Sequence, residues 1–244
     1  MTPLIQVRGL HFQYEDGTKA LDGVDFTLEH GETVALFGAN GSGKTTFVLH
    51  LNGILRGQGE ITVCGMPLGK ETLPAVRAKI GMVFQDSDEQ LFMPTVLDDV
   101  SFGPLNLGST PHAAIHLAEA ALEQVGMQHA SGKAPYHLSA GEKKRVALAG
   151  VLAMNPEILV LDEPNTFRDP PGQSNLVHLL KSLPQAKLII THDTHFAAAL
   201  ATRAVFFEKG KLVANGPVDE IVQRFNWNYS ALPVDLRYSA QRRF

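Results

Sequence analysis

The feature that most constrains this chain of 244 residues is a glycine-rich segment between a β-prone stretch and a helical one. It has the pattern G-x-x-x-x-G-K-[ST] and reads Gly38-Ala39-Asn40-Gly41-Ser42-Gly43-Lys44-Thr45. Residues 33–36 are predicted to form a strand, and residues 45–55 carry apolar side chains at helical spacing. Glycines let successive backbone N–H groups point inward, and the helix adds its positive N-terminal end. The order strand, glycine loop, helix therefore predicts a loop that wraps phosphate groups.

Particular side chains of this loop have predicted roles. Lys44 is expected to reach the β- and γ-phosphates of a nucleotide, and the Thr45 hydroxyl to bind Mg²⁺. Thr46, in the first turn of the helix, is also predicted to contact the nucleotide. The chemistry needs a second metal-side group, and the apolar run 158–161 ends in Asp162 and Glu163.

These two carboxylates are predicted to have different roles in hydrolysis. Asp162 is expected to bind Mg²⁺ through its water shell, while Glu163 points elsewhere and polarises the attacking water. At this point a kinase, a GTPase and a helicase are equally open interpretations of the chain.

The composition of the chain limits its expected binding partners and cellular compartment. Lys and Arg number 21 against 25 Asp and Glu, a formal charge of −4, so no basic face for nucleic acid is expected. The single cysteine, Cys64, excludes an internal disulfide and is typical of a reducing cytosol. No signal peptide is visible, and the longest apolar runs fall far short of the roughly 20 residues that span a membrane. Any membrane role is expected to come through a partner.

The order of elements predicts an α/β fold. Residues 4–36 are predicted to be antiparallel β structure, and about 95–136 to be helical. A helix is predicted at 141–154, followed by alternating strands and helices that indicate a largely parallel sheet.

We expect a single domain over residues 1–244. Its nucleotide core would comprise about 1–90 and 150–225, with a helical subdomain inserted at about 91–149. The tail, 226–244, is left without interpretation.

A second motif indicates a family. Leu138-Ser139-Ala140-Gly141-Glu142 has the spacing of a helix capping box and precedes Lys143-Lys144-Arg145. This segment resembles the signature motif of ABC ATPases. The resemblance implies that Ser139, Gly141 and Glu142 reach across a dimer interface to the γ-phosphate held by the other copy.

Three further positions match the family's pattern. Gln85 resembles the Q-loop glutamine that touches Mg²⁺, and His192 resembles the switch histidine that contacts the γ-phosphate. Tyr14 resembles the aromatic that stacks on adenine, although a core tyrosine beside a turn is an alternative. The resemblance covers residues 4–220 and implies a P-loop NTPase fold, ATP as substrate and Mg²⁺ as cofactor. It also implies catalytic roles for Glu163, His192 and Lys44.

Two departures from the family pattern stand out. Ala140 replaces a frequent glycine, which should be tolerable if its φ is negative. Phe167 and Arg168 are bulky residues in a loop that the family usually keeps small, before Asp169. These residues put details of communication between subunits in doubt, but not the ATPase.

A finer resemblance lies in residues 83–92 and 95–104. They look like the ATPases of energy-coupling-factor importers, which take up vitamins or transition-metal ions in prokaryotes. Asp86, Asp88 and Glu89 would rim a groove that receives helices of a membrane partner, or would form a solvated acidic loop. The compact chain looks most like the cobalt or nickel branch.

The resemblance also implies partners and a location. We expect a second, identical ATPase subunit, together with integral membrane subunits for coupling and substrate binding, at the cytoplasmic face of the cell membrane. The alternatives are a vitamin importer, a soluble ABC ATPase without a transport role, and a non-catalytic regulator. The intact catalytic residues argue against the last.

Overall fold

The computed structural model describes residues 2–165 and 170–227. The strands in chain order are β1 (Ile5–Gln13), β2 (Lys19–Leu28), β3 (Thr33–Phe37), β4 (Gln58–Val63), β5 (Met66–Pro67), β6 (Ile80–Val83), β7 (Ile158–Asp162), β8 (Ala186–Ile190), β9 (Arg203–Glu208) and β10 (Lys211–Pro217). The helices are α1 (Lys44–Leu51), α2 (Leu73–Lys79), α3 (Val96–Asn106), α4 (Pro111–Gln124), α5 (Ala140–Ala153), α6 (Pro170–Ser182), α7 (Thr194–Leu200) and α8 (Val218–Arg224).

The core sheet has six strands in the order β10-β9-β3-β8-β7-β6. Neighbouring strands from β9 to β6 run parallel, and β10 pairs antiparallel with β9 at one edge. Every residue of β6, β7 and β8 is buried, as expected for parallel strands covered on both faces. The predicted mostly parallel α/β sheet is confirmed.

A smaller antiparallel sheet lies at the N-terminal side, in the order β2-β1-β4-β5. The antiparallel prediction for residues 4–36 holds for β1 and β2 but is wrong for β3. β3 joins the core sheet, where it lies parallel to both β8 and β9. The physical reason is its burial, since Val34–Phe37 are fully enclosed and cannot form a half-exposed antiparallel strand.

Three apolar clusters hold the layers together. One fills the space between the two sheets and includes Phe47 of α1. A second joins α3, α4 and α5 to the other face of the core sheet through Leu159 and Leu161. The third packs α7 and α8 against β9. The helices α3 to α5 follow one another between β6 and β7, where the helical subdomain is expected; the domain boundaries themselves stay a prediction.

Several elements differ from the sequence prediction. Helix α2, which precedes β6, was not predicted from the sequence; its Pro74 falls in the first turn, where proline costs no hydrogen bond. Helix α1 ends at Leu51 rather than at residue 55. The Phe167–Arg168 loop with Asp169, and the tail from residue 228, lie outside the described residues. Within the described part of the chain, no helix has the length and apolarity to span a bilayer.

Candidate functional site

The glycine loop connects β3 to α1, as predicted. Gly38 has φ +138°, and a Cβ there would lie 2.3 Å from the carbonyl oxygen of Phe207. Gly43 has φ +108°, and its Cβ would lie 2.5 Å from the carbonyl oxygen of Ala20. Both positions combine a left-handed backbone with a contact too close for any side chain. The loop shape therefore depends on glycine at these two positions.

Lys44 lies inside the curve of this loop. Its ammonium donates hydrogen bonds to the carbonyl oxygens of Gly38, at 2.7 Å, and Ala39, at 3.0 Å. Burial lowers its pKa, and the carboxylates of Asp162 and Glu163 oppose that shift. A buried cation held by its own loop is positioned for an anion placed in the cradle.

Above the loop is a cavity of about 880 Å³, a volume typical of small-molecule and cofactor sites. The predicted residues that line it are Tyr14, Asn40, Gly41, Ser42, Gly43, Lys44, Thr45, Thr46, Gln85, Asp162, Glu163 and His192. Residues that the sequence reasoning missed also line it: Thr18, Lys19, Ala20, Asn165, Ile190, Asp193, Thr194 and His195. Gly38 and Ala39 do not line it but bond to Lys44 beneath it.

Oxygen donors gather at one side of the cavity. The Thr45 hydroxyl donates to Oδ2 of Asp162 at 3.2 Å, and Gln85 borders the same space. Burial raises the pKa of Asp162, while the Thr45 hydrogen bond and the charge of Lys44 oppose the rise. A hydroxyl, a carboxylate and an amide are hard oxygen ligands, the set that Mg²⁺ prefers. These three residues fit a magnesium ion, so their predicted metal role is chemically reasonable.

Glu163 follows β7 in a left-handed conformation, with φ +46°. Its N–H donates to the carbonyl oxygen of Ile190 at 2.9 Å. Its Oε1 is buried without a hydrogen-bond partner, and Nε2 of His192 lies 3.5 Å from it. Burial, followed by the charge of Asp162, raises the pKa of Glu163 to about 7. A buried carboxylate with a raised pKa and one oxygen free of hydrogen bonds, placed in a cavity, is typical of a general base.

His192 faces the loop from the end of β8. Its Nε2 lies 3.1 Å from Oδ1 of Asn40, and burial lowers its pKa. The turn beneath it is held by Asn165, whose Oδ1 accepts from Thr191 at 3.1 Å and whose Nδ2 donates to Asp193 at 3.1 Å. Asp193 is the N-cap of α7, a pattern visible in the sequence that the prediction did not use.

Tyr14 stands at the rim of the cavity, with its side chain 40% exposed. Its hydroxyl lies 2.9 Å from Oγ1 of Thr46, and its ring meets Phe12 edge-on at 4.9 Å. The ring is thus held in place with a surface open to the cavity. Stacking on adenine stays a prediction, and this placement is compatible with it.

The Ser139–Glu142 segment is a capping box, as the spacing predicts. The Ser139 N–H donates to Oε2 of Glu142 at 2.9 Å, and the Glu142 N–H donates to the Ser139 hydroxyl at 3.4 Å. Ala140 is absent from the described non-glycine residues with positive φ, so the methyl group causes no backbone strain. None of Ser139, Gly141 and Glu142 lines the cavity. Ala140 alone of this segment borders a neighbouring groove that reaches Thr45 and Asp162, and Ser139, Gly141 and Glu142 line neither that groove nor the cavity.

The fold and the cavity together define a P-loop nucleotide-binding protein. A family model described as "ABC transporter" matches residues 21–166. The chain is 50% identical over 221 residues to a putative ABC transporter ATP-binding protein of Streptomyces avermitilis, with coverage of 90% of this chain and 84% of that protein. The chain therefore belongs to the ABC transporter ATP-binding proteins, and it is an ATPase.

More specific names appear among other matches. The energy-coupling factor transporter ATP-binding protein EcfA of Methanothermobacter thermautotrophicus is 45% identical over 224 residues, covering 89% of this chain and 72% of EcfA. The structure of cbiO1 from Clostridium perfringens, part of the ABC transporter complex cbiONQ, matches with TM-score 0.80 and 34% identity over 94% of this chain and 96% of cbiO1. A dimeric, post-hydrolysis structure of the ATP-binding cassette MJ0796, with ADP and Pi bound, matches with TM-score 0.79 and 25% identity over 88% of this chain and 98% of that one.

Proposed function

We propose that this ATPase powers a prokaryotic energy-coupling-factor importer, and that two copies bind ATP between them. The observation that carries the dimer is the separation of two half-sites. The glycine loop, Asp162, Glu163 and His192 surround one cavity, while Ser139–Glu142 lies outside it and begins a helix at the surface. The capping box engages the N–H groups of Ser139 and Glu142, and the positive end of the helix dipole still favours an anion there. The similar MJ0796 cassette, which is dimeric in its solved structure, supports the same assembly.

The mechanism assigns each residue of the cavity a task. Lys44 exchanges its bonds to the loop carbonyls for the β- and γ-phosphates, and Thr45, Gln85 and Asp162 would hold Mg²⁺. The bound ion would neutralise negative charge on the phosphate oxygens. Glu163 accepts a hydrogen bond from the attacking water and orients it.

His192 completes the site from the opposite wall. Its Nε2 lies 3.1 Å from Oδ1 of Asn40 in the glycine loop and 3.5 Å from Oε1 of Glu163, and we assign it to the γ-phosphate. Together with Lys44, it stabilises the charge that develops as the terminal phosphoryl group leaves. Loss of the γ-phosphate removes these contacts and those of the second copy's Ser139 segment, so the dimer opens.

The substitution Glu163→Gln tests the assignment of the base. It keeps the shape and removes the carboxylate, so ATP hydrolysis should fall by about 100-fold or more while ATP still binds. Glu157→Gln, the same change at a half-buried position beside Lys79, is the matched control and should leave turnover unchanged. Undiminished hydrolysis in the Glu163 variant would remove the base from the mechanism.

The membrane partner is proposed to dock beside α3. A groove of about 300 Å³ there contains Phe92, which is 64% exposed, and Phe102. Asp99 lies in its wall, accepts the N–H groups of Phe92 and Met93, and keeps Oδ2 buried without a partner. Apolar surface beside an unpaired acceptor fits a helix that carries a hydrogen-bond donor. Docking of this kind would hold the chain at the cytoplasmic face of the membrane.

The acidic segment next to this groove is partly engaged within the chain. Asp88 forms an ion pair with Lys143 of α5 at 2.5 Å, while Asp86 accepts the N–H of Asp88 at 2.9 Å. We retain Asp86 and Glu89 as rim residues for the membrane partner. Asp88 serves first to join this segment to α5.

For the transported substrate we propose cobalt or nickel ions. The support is the similarity to cbiO1 and to EcfA, together with the sequence segments 83–92 and 95–104. The test is to co-express the chain with the membrane subunits encoded beside it and to measure ATP-dependent uptake of labelled Co²⁺, Ni²⁺ and vitamins into vesicles. Uptake of a vitamin alone would reject the metal assignment. Association with ribosomes or DNA in place of membrane subunits would reject transport.

A further inference from the structure

Helix α4 carries two histidines one turn apart on its exposed side. His112 lies in the first turn, where Pro111 and the Thr110 cap, which accepts the Ala113 N–H at 3.3 Å, fix the helix start. His116 follows at i+4, the spacing that places two side chains on one face. The two Nε2 atoms are 3.3 Å apart. The Nε2 atoms of both rings are therefore within hydrogen-bond distance of each other, on the exposed side of the helix.

A carboxylate lies beside one of the two rings. Oε2 of Glu119 lies 3.6 Å from Nδ1 of His116, on the side of the ring away from His112. A carboxylate beside one ring nitrogen is the arrangement that supports histidines whose other nitrogen binds a metal. Nε2 of His116 is the nitrogen that lies next to His112.

We propose that His112 and His116 bind a divalent transition-metal ion, Cu²⁺ or Zn²⁺, through their Nε2 atoms. With metal–nitrogen bonds of about 2.0–2.1 Å, two nitrogens 3.3 Å apart subtend an angle of about 105° at the metal, close to tetrahedral. Imidazole is a preferred ligand for both ions. Since no group of three or more His, Cys, Asp or Glu side chains suited to a metal ion occurs among the described residues, the remaining coordination positions are open to water or to a ligand from another molecule.

The test of this site is a titration of the intact, nucleotide-free chain with Cu²⁺. Calorimetry measures the affinity, and electron paramagnetic resonance reports how many nitrogens coordinate the ion. The wild-type chain should bind one Cu²⁺ with two imidazole nitrogens. His112→Ala and His116→Ala should each weaken binding by about tenfold or more and leave one coordinated nitrogen. Glu119→Gln should weaken it less. The control His30→Ala removes another exposed histidine and should change nothing.

Three results would overturn the proposal. If His112→Ala and His116→Ala bind Cu²⁺ as the wild-type chain does, the ion is bound elsewhere. If the wild-type chain binds no Cu²⁺, or coordinates it with a single nitrogen, the pair is not a site. Zn²⁺ should compete with Cu²⁺ for the wild-type chain, and absence of competition also contradicts it.

A second inference concerns Lys144 of α5, which is only 3% exposed. Its ammonium donates to the carbonyl oxygen of Glu163 at 2.6 Å and to that of Gln85 at 3.0 Å. These two residues follow β7 and β6, which are neighbours in the core sheet. One side chain from the helix that begins at the signature segment thus joins both strand ends beside the cavity.

Glu163 depends on such support, because it is a non-glycine residue at φ +46°. A left-handed conformation is strained for a residue with a side chain and persists only where its surroundings hold it. Its N–H is held by Ile190 and its carbonyl oxygen by Lys144. We infer that Lys144 is a positioning residue that orients Glu163 and links it to Gln85 and to α5.

This inference rests on the proposed role of Glu163, and kinetics separate the two. Lys144→Met should lower kcat by about tenfold to 100-fold, since small displacements of a reacting group have effects of that size, while the KM for ATP stays nearly constant. Lys144→Arg, which keeps charge and donors, should recover part of the loss. The control Lys181→Met removes an exposed lysine of α6 and should keep wild-type kinetics.

The following outcomes test the role of Lys144 separately from the role of Glu163. If Glu163→Gln abolishes turnover but folded Lys144→Met keeps the wild-type kcat, Lys144 does not position the base. A higher KM with unchanged kcat also overturns the inference, because it would place Lys144 in binding. If Lys144→Met fails to fold, Lys144→Gln, a smaller change with a retained donor, takes its place with the same criteria.

Discussion

Removal of the Tyr14 ring is the perturbation that best separates the two interpretations of this residue. Base–aromatic stacking contributes about 1–3 kcal/mol, which corresponds to a rise in Kd of about fivefold to 150-fold when the ring is lost. The Tyr14 ring is already held by Thr46 and Phe12 while 40% of the side chain remains exposed. Little ordering is left to occur on binding, so we expect Tyr14→Ala to weaken ADP binding by about tenfold or more.

Two comparisons make the result specific to stacking. Tyr14→Phe keeps the ring and loses one half-buried hydrogen bond, so its ADP affinity should change by less than about threefold. Pyrophosphate has no base, so its affinity should be the same in wild type and in Tyr14→Ala. Calorimetric titration with ADP and with pyrophosphate gives both values. Equal weakening for the two ligands, or unchanged ADP binding, would make Tyr14 a structural residue of the turn after β1.

Three other predictions concern stability, reactivity and docking. Burial and the charge of Glu157 raise the pKa of Cys64 from 9.0 to about 11, so its alkylation at pH 8 should be about 100-fold slower than that of an ordinary thiol. The rate should rise with pH towards 11 and increase in Glu157→Gln; equal rates in the two proteins contradict this. Gly43→Ala meets a backbone oxygen at 2.5 Å, whereas Gly41→Ala meets nothing within 4 Å, although both have positive φ. Urea unfolding should show the Gly43 variant less stable than the Gly41 variant by at least about 2 kcal/mol, and equal losses refute the reasoning. Phe92→Ser should reduce co-purification of membrane subunits at unchanged ADP affinity. A loss of ADP binding in this variant would contradict the assignment of Phe92 to the docking groove.

Local features of this protein were predictable because they depend on neighbouring residues. The strand, loop and helix around Gly38–Thr45 follow from spacing within about twenty residues, and so does the cap formed by Ser139 and Glu142. The left-handed glycines and the capping box follow from the residue types themselves. The nucleotide cavity was therefore expected before its geometry was known.

Features that depend on distant partners were not predictable in the same way. β3 pairs with β8 and β9, strands that lie about 150 and about 170 residues further along the chain, and its local sequence does not determine which sheet it joins. The hydrogen bond between Asn165 and Thr191 likewise requires two strand ends to be neighbours. The β-propensity of a segment depends on its own residues, whereas its strand partners and its burial depend on residues that are distant in the sequence. Lys144 illustrates the same point, since its two carbonyl acceptors lie 59 and 19 residues away.

The central claim is that one copy's glycine loop and another copy's Ser139–Glu142 segment enclose the same ATP. Sedimentation velocity of Glu163→Gln with ATP and Mg²⁺ tests it most directly. We predict a two-copy species that is absent without ATP and that disappears when Gly141→Asp is added, while the doubly substituted chain still binds ATP as a monomer. Monomers at saturating ATP, or dimers that tolerate Gly141→Asp, would contradict the shared site.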